Sequence, residues 1–193
     1  MIPVHDDSDP FISTFTGGKF HPLTPRIDEV RIEDIAHALS LKCRYSGQCA
    51  RFYSVAEHSV LVAALVEPQW RQAALLHDAG EAYLADLAWP LKRAPEFRAF
   101  LEVEDRILAT VYARFGVSTI IIPEAVRKAD RQAQELEWPD LMHQQGVQLG
   151  SENVLWGTYP NVRFEARRLP CVCPEVAKNR FLKAFEELFP NEH

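Results

Sequence analysis

Two histidines of this chain keep acidic company. His77 and Asp78 close the apolar run Ala73-Ala-Leu-Leu, and His58 stands in Glu57-His58-Ser59 ahead of Val60-Leu61-Val62. An imidazole and a carboxylate at the edge of an apolar run are costly to bury unless they are paired or coordinate a metal. Consecutive helical residues point about 100° apart, so His77 and Asp78 bracket an ion only when another element completes the shell. His58 faces them if its helix and the next are antiparallel neighbours joined by a short turn. Asp130, in Val126-Arg-Lys-Ala-Asp130 beside apolar positions, supplies a fourth ligand. Two imidazoles and two carboxylates suit a transition metal better than Ca²⁺ or Mg²⁺, which prefer oxygen shells. Such an ion, with open positions, lowers the pKa of a bound water and polarises a phosphoryl oxygen. The competing reading makes each residue a hydrogen-bonded core or surface group, since His-Asp pairs are common. His5, His21, His37, His143 and His193 have no such company and read as surface or incidental residues.

The elements that must position these residues are mostly helical. Phe11 to Phe15, Gly17-Gly18 and Lys19-Phe20 read as a small β-hairpin over about 11–21. Ile32, Ile35, Ala36 and Leu39 fall at helical spacing, predicting a first helix that ends near Lys42. After a polar connector, Ser54 and Glu57 form a capping box that opens a second helix, to about Val66. Pro68 suits the first turn of a third, carrying Gln72 through His77 and on toward Tyr83. Pro90 stops that region. Pro95 starts a fourth helix to about Phe115, with Gly116 at its cap, and Pro123 a fifth with an interruption expected at Pro139. Residues 146–173 read as irregular or weakly extended, and Pro174 opens a last amphipathic helix to Phe189. The expectation is one mainly α domain: a helical core over about 31–145, then the irregular segment and final helix over 146–193.

Composition narrows the function. The chain has 193 residues, 47% hydrophobic and 25% charged, enough for one well-buried core. A net charge of -6 argues against binding a nucleic-acid backbone, though a local pocket can still be basic. No apolar run is long enough to span a bilayer, and the opening residues lack the basic-then-apolar pattern of a secretory signal, so a cytoplasmic location is expected. The cysteines, Cys43, Cys49, Cys171 and Cys173, lack the paired spacing of two residues usual in zinc sites and read as free thiols.

The order His, then His-Asp, then a distant Asp, each on a helix of an all-α domain, resembles the HD superfamily of metal-dependent phosphohydrolases. Phe11 to Phe20, Cys43-Arg-Tyr-Ser-Gly47, Phe52-Tyr-Ser-Val-Ala-Glu-His-Ser59, His77-Asp-Ala-Gly-Glu-Ala-Tyr83 and Pro90-Leu-Lys-Arg93 are similar to phage- and prophage-type HD proteins related to bacterial 5′-deoxynucleotidases. The likeness spans roughly residues 11–140. It implies one divalent transition ion (Co, Mn, Zn, Fe or Ni) held by His58, His77, Asp78 and Asp130. It implies catalytic roles for Glu81, which orients the attacking water or takes its proton, and Asp86, which hydrogen-bonds that water or protonates the leaving 5′-oxygen. Arg44-Tyr45 occupies the place of an Arg-aromatic pair near sugar and phosphate, with Tyr where the best-characterised type has Trp. Arg51-Phe52 is a rival pair. Lys92 and Arg93 are candidates for phosphate contact, and Trp89 for stacking on a base.

The resemblance therefore implies removal of the 5′-phosphate from (deoxy)nucleoside monophosphates by a homodimer. Three alternatives stand beside it: a deoxynucleoside triphosphate triphosphohydrolase, a di-iron HD oxygenase and a non-catalytic nucleotide-binding module. The oxygenase requires extra His ligands near the HD pair, which the sequence lacks. The non-catalytic reading sits poorly with a complete ligand set.

Overall fold

The computed structural model describes residues 9–142 and 169–191, with only the backbone of Trp89. Its hairpin pairs β1 (Ile12–Ser13) with antiparallel β2 (Lys19–Phe20), Ile12 opposite Phe20 and Ser13 opposite Lys19. Gly17, at φ +83°, supplies the left-handed residue of the turn. Asp34 ties the tip down, accepting from the backbone N–H of Thr16 at 2.7 Å and from its hydroxyl at 3.0 Å. At the base, Phe20 is fully buried and stacks on Tyr83 with centroids 3.6 Å apart.

α1 (Ile32–Leu41) buries Ile35, Ala36 and Leu39, the stripe read from the sequence. α2 (Val55–Leu65) starts at the expected capping box: Ser54 accepts from the Glu57 N–H at 3.2 Å while the Glu57 carboxylate accepts from the Ser54 N–H. This helix is buried along almost its whole first two turns, from Val55 to Ser59, because α1 and three further helices cover it. His58 is therefore a core residue with no exposure to solvent.

The third helix is shorter than the spacing predicts. A 3-10 turn at Pro68–Trp70 leads into α3 (Arg71–Leu75), which stops before His77; Asp78 then enters a 3-10 turn at Ala79–Ala82. Close packing offers the physical reason. A Cβ on Gly80 would lie 3.2 Å from the Glu104 carbonyl oxygen, so the next long helix presses directly on this turn. Pro90 does not merely stop the region. It sits in the first turn of a short α4 (Trp89–Lys92), where its fixed φ is compatible with helix.

α5 (Arg98–Arg114) follows a 3-10 turn at Pro95–Phe97 and ends before Gly116, at φ +66°. α6 (Glu124–Leu141) runs through Pro139 without interruption. The proline lies two residues from the end, and the Met142 N–H still reaches the Trp138 carbonyl at 3.0 Å. α7 (Pro174–Leu188) lays Ala177, Phe181 and Phe185 against α1, α2 and α3. A buried phenylalanine such as Phe181 is worth ~3–5 kcal/mol against alanine at such a position. The irregular segment expected from residue 146 lies outside the described residues up to 168. Residues 169–173 are irregular, and the Val172 N–H donates to Glu57 at 2.9 Å. No helix among the described residues is long and apolar enough to cross a membrane.

Candidate metal centre

The centre is built where α2, α6 and the turn after α3 meet. His58 comes from the second turn of α2, Asp130 from the second turn of α6, and His77-Asp78 from the short link between α3 and the Ala79–Ala82 turn. His58, His77 and Asp130 offer ligand atoms that all lie within 4.8 Å of one another, a group that could hold a metal ion. Asp78 completes the approach: its Oδ2 is 3.2 Å from His77 Nε2 and 3.8 Å from His58 Nε2, and Asp130 Oδ1 is 3.1 Å from His58 Nε2.

The backbone and a carboxylate set the tautomers. His77 Nδ1 lies 2.8 Å from the Ala74 carbonyl oxygen, which can only accept, so Nδ1 carries a proton, and it is the neutral ring that presents a lone pair at Nε2. His58 Nδ1 lies 2.6 Å from Glu137 Oε1, which fixes the same tautomer when that carboxyl is ionised. Its ionisation is favoured: burial opposes it, but His58, Arg44 and the Tyr45 hydroxyl together lower the Glu137 pKa. Both Nε2 atoms are buried without a hydrogen-bond partner. Such atoms are rare because an unmade hydrogen bond leaves the full desolvation penalty uncompensated. Two of them converging beside two carboxylates fit the donor set of a cation.

Without an ion, protons balance the charge. Burial opposes a charged His77, yet the Asp78 carboxylate outweighs it and holds that imidazole at about 9. His58 is raised as well: burial and Arg44 oppose its protonation, while Glu137 and Asp130 favour it. Asp78 and Asp130 are lowered despite burial, Asp78 mainly by His77 and Asp130 mainly by His58.

Glu81 stands on the Ala79–Ala82 turn, almost fully buried, with its Oε1 accepting from Lys92 at 2.8 Å and its Oε2 without a hydrogen-bond partner. Burial, and then the Asp78 charge, push its carboxyl well above the ordinary value, with Lys92 opposing. Lys92 also reaches Glu104 at 3.3 Å. Asp86 is partly buried and likewise raised by burial, with Arg44 opposing. From the end of α1, the ammonium of Lys42 donates to the carbonyls of Glu81 and Leu84, fixing the end of the turn that carries Glu81.

Arg44 and Tyr45 do come to the centre, through a partner the sequence reading missed. Arg44 is buried, donates from Nε to Glu137 at 3.1 Å and brings Nη1 to 3.9 Å from Asp78; the Tyr45 hydroxyl donates to the same Glu137 oxygen at 2.7 Å. Glu137 is seven residues after Asp130, two helical turns along one face of α6. An acidic residue on the stripe Val126, Ala129, Ala133, Leu141 was the available signal. Half-exposed Trp138 packs edge-on to Tyr45, centroids 5.9 Å apart.

The other candidates are placed apart. Arg51 is exposed and pairs with Asp140 at 3.6 Å. Arg93 is exposed on the residue after α4, and the side chain of Trp89 lies outside the described residues. His21, read from the sequence as a surface or incidental residue, is buried: its Nδ1 lies 2.6 Å from Glu29, within a cluster that includes Arg26 and Asp9. His37 stacks on Phe15 at 3.8 Å, while His5, His143 and His193 lie outside the described residues.

No family model matches the chain. Over 134 residues it is 39% identical to an uncharacterized protein of Rhodobacter capsulatus, covering 63% of this chain and 68% of that one. Over 112 residues it is 39% identical to the uncharacterized protein YfdR of Escherichia coli K12, covering 58% of this chain and 61% of YfdR, less than two thirds of its length.

Proposed function

The chain belongs to the same family as that Rhodobacter capsulatus protein, and we propose that it is a metal-dependent phosphohydrolase of the HD type, removing the 5′-phosphate of (deoxy)nucleoside monophosphates. The observation that carries this reading is the convergence of two buried, unpartnered Nε2 atoms, from His58 and His77, with the carboxylates of Asp78 and Asp130. Mixed imidazole and carboxylate donors match Mn, Fe, Co, Ni or Zn better than Ca or Mg. A divalent ion held there would supply Lewis acidity toward a phosphoryl oxygen and acidify a water.

The chain's own groups then have defined work. Glu81, a buried carboxyl with a raised pKa, takes a proton from the attacking water, its Oε1 held by Lys92. Asp86, also raised, gives a proton to the leaving 5′-oxygen. Arg44 adds positive charge beside Asp78, and Tyr45 with the half-exposed Trp138 offers an aromatic surface for sugar or base. Among the described residues, Arg44 and Lys92 already share their charge with Glu137, Glu81 and Glu104.

The test is product analysis on nucleoside and deoxynucleoside mono-, di- and triphosphates, metal-free and with Mn²⁺, Co²⁺, Zn²⁺ or Mg²⁺. Metal-dependent release of orthophosphate and nucleoside from deoxymonophosphates is expected. Triphosphate as product would move the assignment to triphosphohydrolysis, and absence of turnover by the metal-loaded protein would overturn the substrate class.

A further inference from the structure

Cys43 and Cys49 stand at the two ends of a sharply folded loop. Between them Tyr45, Ser46 and Gly47 all have positive φ, 55°, 53° and 74°. Two consecutive non-glycine residues in the left-handed region make a strained turn, of the kind that persists only when its surroundings hold it. Here Glu137 holds it from inside, through Arg44 and Tyr45, while the Gly47 N–H reaches the Arg44 carbonyl at 3.1 Å and the Gln48 N–H the Tyr45 carbonyl at 2.9 Å.

The consequence at the foot of the loop is a close thiol pair. The Cys43 and Cys49 sulfurs lie 3.3 Å apart, and the Cys49 thiol also approaches the Arg44 carbonyl at 3.7 Å. Both residues are partly exposed, so a small oxidant reaches them. A disulfide has its sulfurs about 2.05 Å apart, so closure asks for side-chain adjustment of only about an ångström.

We propose that Cys43 and Cys49 are a redox modification site: a peroxide converts them to a reversible disulfide that staples the loop carrying Arg44 and Tyr45. The thiolate sulfur of Cys43 attacks one peroxide oxygen; an S–O bond forms, the O–O bond breaks, and hydroxide leaves to be protonated to water. The sulfur of Cys49 then attacks the sulfenic sulfur, forming the S–S bond, breaking S–O and releasing a second water. Two thiols lose two electrons in all, and the peroxide gains them. The order follows from the contacts: the Cys49 S–H is directed at the Arg44 carbonyl 3.7 Å away, which leaves Cys43 as the sulfur that attacks first. In a reducing compartment such a pair rests open and closes transiently. The modification stands independently of the phosphohydrolase reading, because neither sulfur belongs to the metal centre.

The test uses the reduced full-length chain treated with stoichiometric hydrogen peroxide, followed by thiol counting and peptide mass analysis without reductant. Two thiols are expected to disappear, in a peptide linking Cys43 to Cys49, and to return with dithiothreitol. C49S is expected to accumulate sulfenic acid at Cys43, trapped by dimedone, with no internal link, whereas C171S retains the link. Amide exchange over residues 44–49 is expected to slow severalfold on oxidation of the unaltered chain and not of C49S. A link from Cys43 to Cys171 or Cys173, or equal thiol loss in C49S and the unaltered chain, would overturn the assignment.

Discussion

Glu137 Oε1 lies 2.6 Å from His58 Nδ1, and neither side chain has any exposure to solvent. The carboxylate fixes the imidazole tautomer and so aims Nε2 at the centre; its other oxygen holds Arg44 and Tyr45. Ligand aim and loop position thus depend on one residue of α6. Replacing Glu137 with glutamine keeps the shape and removes the charge. Metal affinity is expected to fall ~10–100-fold, the usual scale for losing a partner behind a ligating histidine, as read by metal titration of the purified variant. Glu137→Ala additionally removes the carboxylate that buried Arg44 hydrogen-bonds and should cost ~3–5 kcal/mol in denaturant unfolding. Unchanged metal affinity in E137Q would show that His58 needs no such support.

Glu81 is separable from the four proposed donors. It is held by Lys92 and by the turn that Lys42 caps, so Glu81→Gln should leave the four donors in place. The variant is expected to bind metal within severalfold of the unaltered chain while turning over ~10²–10⁴-fold more slowly, the span expected for loss of a general base. Metal titration and single-turnover phosphate release distinguish the two effects. A glutamine variant that retains full turnover would remove Glu81 from the chemistry.

Much of this architecture was legible in local sequence. The Ser54/Glu57 capping box, the Ile35–Ala36–Leu39 stripe, and Pro174 ahead of an amphipathic run placed three helices because each signal lies within one or two turns. What was not legible depends on distant packing. α3 ends early against a turn that Glu104 presses upon, a contact across more than twenty residues of sequence. His58 and His77 stood out by their neighbours, whereas the stripe of α6 marks Glu137 only as a buried acid, and its partner His58 lies 79 residues away. His21 reads as a surface histidine until Glu29 folds back onto it.

Metal uptake should release protons. In the ion-free protein the Asp78 carboxylate holds His77 at about 9, so at neutral pH that imidazole is protonated and the ion must displace the proton to reach Nε2. Apparent metal affinity is therefore expected to fall as pH drops below about 9 and to level off above it. Calorimetric titration at pH 7 in two buffers of different ionisation enthalpy should give heats that differ by about one proton per ion or more. Identical heats in the two buffers would mean that binding bypasses His77.

Lys92 ties the Glu81 carboxylate to α5 through Glu104. Burial and the Asp78 charge raise the Glu81 carboxyl; Lys92 is the cation that opposes them. Lys92→Met removes that opposition, so Glu81 should lose its proton at higher pH still. Because a general base works only when deprotonated, the acidic limb of the kcat/KM profile is expected to move to higher pH, with the plateau lower or displaced. Part of the Lys92 side chain is exposed, so solvent screening limits the stability loss to ~1 kcal/mol. The decisive comparison is the position of the acidic limb in K92M and in the unaltered chain at the same metal saturation. A limb that stays in place while activity falls would assign Lys92 to substrate binding instead of to the tuning of Glu81.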